Sequence, residues 1–282
     1  MADALGIIAG GGELPPAIAE SALGAGRAVF IVALRGSAGP EIERFPHDWA
    51  SLGEAGKVLR LLRQNGCSDV LLAGKVARPR FADLKLDAKG VLVAPKVIAA
   101  ARKGDDALLR SLVEILESDG FRAIGVADAA PSLVMKEGAL GKFAPSTDDV
   151  DDIALAVKTV RALGRLDIGQ AVAVCDGLVL AVEAAEGTDA MIARVATLPE
   201  NLRGAPGKPA GVLVKAPKAT QDGKTDLPVL GVSTVKNIAA AGLAGVAVQA
   251  GAALIIDRAG VIAAADEAGM FVYGFARQAY PD

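Results

Sequence analysis

Aromatic side chains are scarce: Phe, Trp and Tyr make up only 4% of the 282 residues. A core built largely without them has to come from Ala, Val, Leu and Ile, and the ring platforms on which single-stranded bases stack are not available. Cysteine is rarer still. Cys67 and Cys175, far apart in stretches that read as interior, exclude a disulfide framework and suit buried free thiols in a reducing, cytoplasmic setting. The chain has one histidine, His47, next to Pro46 and near Trp49. It reads as peripheral or packed. A His-based dyad would have to use it, no Gly-x-Ser-x-Gly elbow accompanies it, and a zinc site lacks its Cys/His cluster.

Excess charge of either sign is also missing. Thirty Lys and Arg against 33 Asp and Glu leave a formal charge of −3, without the basic surplus of a duplex-coating nucleic-acid binder. Met1-Ala2-Asp3-Ala4 has no basic n-region and the apolar run at 5–9 is too short for a signal h-region. Residues 237–256 carry no charge, but Gly242, Gly245, Gly251 and Gln249 interrupt them and alanine dominates the rest. That stretch reads as a helix over 235–241 and two buried strands at 246–249 and 252–256, not as a membrane span.

What is present is a large apolar fraction, 52% against 22% charged. Such a composition supports a sizeable core and excludes wholesale disorder, and the length suits two modest domains. The first half alternates. Strands are predicted at 5–9, 28–34, 69–73 and 121–126, and helices at 17–23, 54–64 and 108–116. Pro15 and Pro16 suit a first helical turn, and Gly24, Gly26 and Asn65-Gly66 suit helix ends. This pattern predicts a Rossmann-like, doubly wound, mostly parallel sheet over residues 1–130. A loop-like stretch at 131–146 is read as a linker. Ser146-Thr147 then cap a helix whose first turn carries Asp148, Asp149, Asp151 and Asp152. Carboxylates there complement the helix dipole, a plainer explanation than a metal site. Residues 147–282 read as a second α/β domain with mixed or antiparallel strands: 171–175 and 178–184 joined by Asp176-Gly177, a helix over 188–195, and strands at 211–214 and 270–274.

Three constellations bear chemistry. The first is Gly10-Gly11-Gly12 between a strand and a helix, where backbone N–H groups meet an anion and the missing Cβ atoms let a phosphate come close. A dinucleotide fingerprint would need its third glycine where Pro15 stands. The second strand would end in an acid, whereas here it ends at Arg35, a residue suited to a 2′-phosphate. A phosphate-bearing ligand survives this comparison, and so does a turn needed only for packing. The second is Ala73-Gly74-Lys75-Val76, which aims Lys75 at the crevice beyond the strand ends, or into solvent. The third is the densest: a loop from Lys215 to Pro228 holding Lys215, Lys218, Gln221, Asp222, Lys224 and Asp226. Lysines with two aspartates suit a phosphate with hydrated Mg²⁺, the aspartates serving as ligands or one as base for a water. A solvated, self-paired surface loop has the same composition. Glu183-Ala184-Ala185-Glu186-Gly187-Thr188-Asp189 is a further acidic signal, in which Thr188 and Asp189 also fit a helix cap and first turn.

In order along the chain, Gly6-Ile7-Ile8-Ala9-Gly10-Gly11-Gly12-Glu13-Leu14-Pro15, Ala73-Gly74-Lys75-Val76 with Arg78-Pro79, Gly104-Asp105-Asp106, Glu186-Gly187-Thr188-Asp189, the 215–228 loop with Gly231 and Thr234, Ala265-Asp266 and Gly269-Met270-Phe271 resemble the LpxI-type UDP-2,3-diacylglucosamine pyrophosphatases. Lys224 departs from that pattern, where arginine is expected. The resemblance implies hydrolysis of UDP-2,3-diacylglucosamine to 2,3-diacylglucosamine 1-phosphate (lipid X) and UMP in lipid A biosynthesis, with Mg²⁺. It implies Asp226 as the principal metal-binding or water-activating carboxylate, assisted by Asp222 and Asp189, with Lys215 and Lys218 on phosphate oxygens. Gly11, Gly12, Glu13, Gly74, Lys75, Thr188 and Gln221 would bind substrate, those of the first domain from across an interdomain cleft. The partner is then a lipid-linked UDP-sugar, not nucleic acid. Contact with the inner-membrane surface is peripheral, and a homodimer is left open. An NADP-dependent oxidoreductase and a non-catalytic sugar-nucleotide binder are the alternatives.

Overall fold

A computed structural model of the chain describes residues 3–77, 80–205, 207–218 and 227–280. The described residues up to Ser132 form one compact unit and those from Leu133 another.

The first unit comprises β1 (Ala4–Ala9), α1 (Leu14–Gly24), β2 (Val29–Leu34), β3 (His47–Ala50), α2 (Ala55–Gln64), β4 (Cys67–Ala73), α3 (Ala88–Ala101), α4 (Asp105–Ser118), β5 (Arg122–Ala123) and α5 (Val126–Ala129). Its strands lie in the order β3-β2-β1-β4-β5 and every neighbouring pair is parallel. All six residues of β2 are buried, as a strand covered on both faces by helices requires. In α2, Leu59, Leu61 and Leu62 form the buried face, and Gly66 at φ +66° ends the run in the left-handed region. The strand order reverses between β1 and β4. The carboxyl ends of those two strands therefore flank the crevice where doubly wound sheets take ligands.

Three elements of this unit depart from the expectation. Strand β3 is short and polar at its start, so no alternation announces it. Of the strand expected at 121–126 only Arg122–Ala123 pairs. Ile124 adds one rung, its N–H donating to the Val70 carbonyl (3.0 Å), before the chain turns into α5. Helix α3 was not expected at all. It is apolar almost throughout, with Pro95 inside it, so the polar face that would reveal a period of 3.6 is missing.

The second unit comprises β6 (Gly138–Leu140), α6 (Thr147–Arg165), β7 (Ala171–Cys175), β8 (Leu178–Val182), α7 (Thr188–Val195), α8 (Glu200–Arg203), the pair β9 (Gly204–Ala205) and β10 (Lys208–Pro209), β11 (Val212–Lys215), β12 (Val229–Leu230), α9 (Val232–Ala240), β13 (Gly245–Gln249), β14 (Leu254–Ile255), α10 (Arg258–Glu267) and β15 (Phe271–Phe275). Six strands form a mixed sheet, β6-β15-β13-β11-β7-β8. Strands β15, β13 and β11 are mutually parallel, and the outer pairings are antiparallel. Side chains alternate between two cores. Ala171, Ala173, Leu213, Val246 and Val248 face α7, α9 and α10, while Val172, Val174, Val212, Val214 and Ala247 face α6.

Strand β6 falls inside the stretch read as a linker. It pairs with β15 and closes one edge of the sheet. Of the strand expected at 252–256, only Leu254–Ile255 pairs, parallel to β12 and outside the main sheet. The aspartate run at 148–152 divides by role. Ser146 and Asp149 make a capping box at the start of α6, and the buried Asp152 accepts from the N–H groups of Asp176 (2.9 Å) and Gly177 (2.8 Å). Both turn residues have positive φ, +50° and +73°, the geometry a two-residue hairpin demands. No helix among the described residues is long and apolar enough to cross a membrane.

Candidate active site

In the first unit the two glycine turns join each other. The N–H of Gly11 donates to the Lys75 carbonyl and the N–H of Lys75 to the Gly11 carbonyl, both at 2.8 Å, and the Gly10 N–H donates to the Ala73 carbonyl at 2.8 Å. A Cβ on Gly10 would lie 2.5 Å from the Lys75 carbonyl oxygen, and one on Gly11 would lie 2.5 Å from that of Ser37. The structure thus revises the reason for these glycines. Gly10 and Gly11 are required by neighbouring backbone, and only Gly12, at φ +94°, has open space on its Cβ side. Gly74, at φ +91°, is enclosed in the same way: its Cβ would meet the Gly11 carbonyl oxygen at 2.7 Å and Pro15 Cγ at 2.9 Å.

Helix α1 begins with Leu14-Pro15-Pro16 after Glu13 in the cap position. The two prolines remove two of the first-turn donors that an anion would otherwise receive. Gly12, Glu13 and Leu14 then supply N–H groups for which no acceptor is found among the described residues. Gly12, Glu13 and the Lys75 side chain are exposed beside the switch point. Arg35, the residue that would meet a 2′-phosphate, instead lies over the Trp49 ring, 5.9 Å from its centroid.

In the second unit, buried polar residues gather at the carboxyl ends of the strands. Lys215, the last residue of β11, is only 5% exposed, and its Nζ donates to the Val229 carbonyl at 3.1 Å. Its antiparallel neighbour is Ala171 and its parallel neighbour Val248. Next to Ala171, the Gln170 carbonyl accepts from the Ala216 N–H at 3.1 Å. Glu183 follows β8 and is 7% exposed. One of its carboxylate oxygens accepts from the Gln170 N–H (3.1 Å) and the other from the Thr188 hydroxyl (2.8 Å). Gln249 ends β13 and is also buried. Lys218 Nζ contacts the Asp167 carboxylate at 2.6 Å, and the exposed Asp189 accepts from Asn237 Nδ2 at 3.3 Å. Burying a lysine and a glutamate at one sheet edge is costly unless each is hydrogen-bonded, and such concentrations mark functional sites.

Thr188 and Lys215 are therefore brought to one edge, and Asp189 stands in the first turn of the helix that Thr188 opens. Gln221, Asp222 and Asp226 lie outside the described residues, as do Lys224 and the Arg78-Pro79 pair. Gln170 and Gln249 join these residues at the strand ends, and no motif in the sequence singles them out. The available signal was their place: Gln170 precedes the all-apolar β7 and Gln249 ends the otherwise apolar β13. Gln170 also has a buried side-chain oxygen with no hydrogen-bond partner among the described residues.

The remaining reactive groups sit elsewhere. Burial pushes the Cys67 and Cys175 thiols up to about 11, so neither is a nucleophile at neutral pH. His47 Nδ1 lies 2.8 Å from the Phe45 carbonyl oxygen and the ring packs edge-on to Trp49. Among the described residues no group of three His, Cys, Asp or Glu side chains is placed to hold a metal ion.

Two family models and a curated relative match the chain. The LpxI N-terminal domain model matches residues 4–133 and the LpxI C-terminal domain model residues 136–273. The UDP-2,3-diacylglucosamine pyrophosphatase LpxI of Caulobacter vibrioides is 48% identical over 277 residues, covering 98% of this chain and 99% of the relative. Kinship of that extent, spanning both units and the loops at their strand ends, places the chain in the LpxI family.

Proposed function

We propose that this chain hydrolyses the diphosphate bond of UDP-2,3-diacylglucosamine, yielding 2,3-diacylglucosamine 1-phosphate and UMP. One observation carries the reading: the relative named for that activity is 48% identical across 98% of the chain. In the reaction a water oxygen bonds to one phosphorus while the bridging P–O bond breaks, and the water protons pass to the phosphate products and solvent.

The chain's own groups suit that chemistry. Diphosphate cleavage demands neutralisation of phosphate charge and an oriented water. Lys215, buried and held at Val229, is positioned to offer a cation without reorganising. Lys218 would exchange Asp167 for a phosphate oxygen. The N–H groups at Gly12 and Glu13, with Gly11 and Gly74 shaping the turn and Lys75 beside them, form the anion-binding edge of the Rossmann-like unit. Asp226 is assigned the principal metal-binding or water-activating role, with Asp222 and Asp189 assisting and Thr188 and Gln221 on substrate. Mg²⁺ is the proposed cofactor, carried by Asp226 and Asp222, and when bound it would neutralise phosphate charge. The site of action is the cytoplasmic face of the inner membrane, contacted peripherally because the substrate is a lipid.

The experiment is UMP release from UDP-2,3-diacylglucosamine by the purified chain with Mg²⁺. Asp226→Ala is expected to abolish release while substrate still binds. Release at the unmutated rate overturns the role given to Asp226, and absence of release by the natural chain overturns the function. Hydrolysis in heavy-oxygen water then identifies the phosphorus attacked by the product that carries the label.

A further inference from the structure

Helix α3 is an apolar helix with little to cover it. Only Gly90 and Ala101 are buried among the residues that form it. Val91, Leu92, Pro95, Lys96 and Ala99 are all exposed, and their spacing puts them on one face of the helix. Val91 is 58% and Leu92 77% exposed, and Leu86 just ahead of the helix is 40% exposed. Scattered exposed apolar residues need no explanation, but a contiguous face of them does.

The first turn of α3 is anchored to its neighbours. The Asp87 side chain caps α3 through the Gly90 N–H (2.7 Å) and also accepts from the Lys57 N–H of α2 (3.0 Å). A Cβ on Gly90 would lie 2.3 Å from the Gly53 carbonyl oxygen, so the first turn of α3 rests directly on the loop before α2. Val91 and Leu92 are thus presented by a fixed turn.

Charge indicates what the face meets. Arg80, Lys85, Lys89, Lys96, Arg102 and Lys103 stand against Asp83, Asp87, Asp105 and Asp106 over 80–106, in a chain whose formal charge is −3. Lys89 and Lys96 pair with Asp119 and Glu114 of α4. Arg80, Lys85, Arg102 and Lys103 make no ion pair among the described residues and flank α3 at both ends. An apolar helical face bordered by cations matches the boundary between anionic headgroups and acyl chains.

We propose that the Val91–Leu92 face of α3 is the membrane-docking surface of this protein, inserting between anionic phospholipids while the flanking Lys and Arg side chains hold their headgroups. The proposal rests on the lipid-substrate reading above, from which it inherits a reason for the protein to be at a bilayer.

The test is flotation of the full chain with phosphatidylethanolamine vesicles containing phosphatidylglycerol, and with vesicles of phosphatidylcholine alone. Binding is expected to the anionic vesicles and to weaken with added salt. Leu92→Asp should lower that binding about tenfold or more. Lys85→Glu combined with Lys103→Glu should remove the preference for anionic vesicles. Both variants should release UMP at the natural rate from detergent-dispersed substrate and more slowly from vesicle-embedded substrate. Trp49 emission verifies folding, and Leu92→Ser replaces the aspartate variant if that fails to fold. Natural-strength vesicle binding by the folded Leu92 variant overturns the proposal. So does a change from dimer to monomer in that variant with vesicle binding intact, which would make the face a contact with a second copy. Vesicle binding is read without turnover, so failure of the hydrolase reading shows itself separately, as absent UMP release in both formats.

Discussion

Gly11 and Lys75 exchange both of their backbone hydrogen bonds, each at 2.8 Å. The loops that end β1 and β4 are thereby fused at the point where the strand order reverses. The fusion needs glycine at both approaches and leaves the Lys75 side chain exposed beside the start of α1.

Gly74→Ala and Gly12→Ala should separate packing from ligand access. At Gly74 a Cβ meets backbone within 3 Å at a positive φ, so alanine there should cost about 2–4 kcal/mol of stability. At Gly12 the φ is also positive but the space is open, and the cost should be about 1 kcal/mol. Urea unfolding followed by Trp49, the chain's single tryptophan and a residue of β3, reads the first unit directly. Equal losses at the two positions would contradict this account.

Lys215 offers a contrast between stability and activity. Lys215→Met keeps the volume of a 5% exposed side chain while removing its charge. Thermal stability should change by no more than about 1–3 kcal/mol, because relief of a buried charge opposes loss of the hydrogen bond to Val229. UMP release should fall roughly 100-fold or more if that charge stabilises the transition state. A variant as active as the natural chain would assign the lysine to structure alone.

Acid should weaken the first unit through Asp69. Its carboxylate accepts from Arg122 Nε (2.5 Å) and Nη2 (2.7 Å) and from Arg27 Nη2 (2.6 Å). The Arg122 hydrogen bond leads in holding it below the usual aspartate range, against the opposing effect of burial. A depressed carboxylate contributes stability that is present above its unfolded value, about 3.9, and is lost as pH falls through the lower folded value. Asp152 has the opposite sign. Burial raises it despite the Gly177 and Asp176 N–H groups, so the second unit gains from this group as pH falls through the raised value toward 3.9. Trp49 emission across an acid titration, with Asp69→Asn as control, should show a flatter acid limb in the variant.

Chelation should stop turnover. EDTA is expected to abolish UMP release and added Mg²⁺ to restore it, with Asp226→Ala unresponsive to restoration. Undiminished release in EDTA would remove the divalent cation, and the role of Asp222 with it, from the proposed function.

Local order was legible wherever short-range sterics decide it. Apolar periods announced β1, β2, β4, α2, α4 and β7, and Asp176-Gly177 announced the hairpin because only that geometry suits two positive φ values in succession. The motifs at 10–15, 73–76, 186–189 and 215–228 already carried the family resemblance. Tertiary structure decided the rest, since it depends on which strands become neighbours. Gly10 and Gly11 look like a phosphate loop until the Lys75 and Ser37 carbonyls arrive against them. Gln170, Glu183 and Lys215 are distant in sequence and meet only because β7 runs antiparallel between β8 and β11. Helix α3 is apolar apart from Lys89 and Lys96, too few polar residues for a periodicity to say which face is left outside. Packing against α4 and the Gly53 loop settles that.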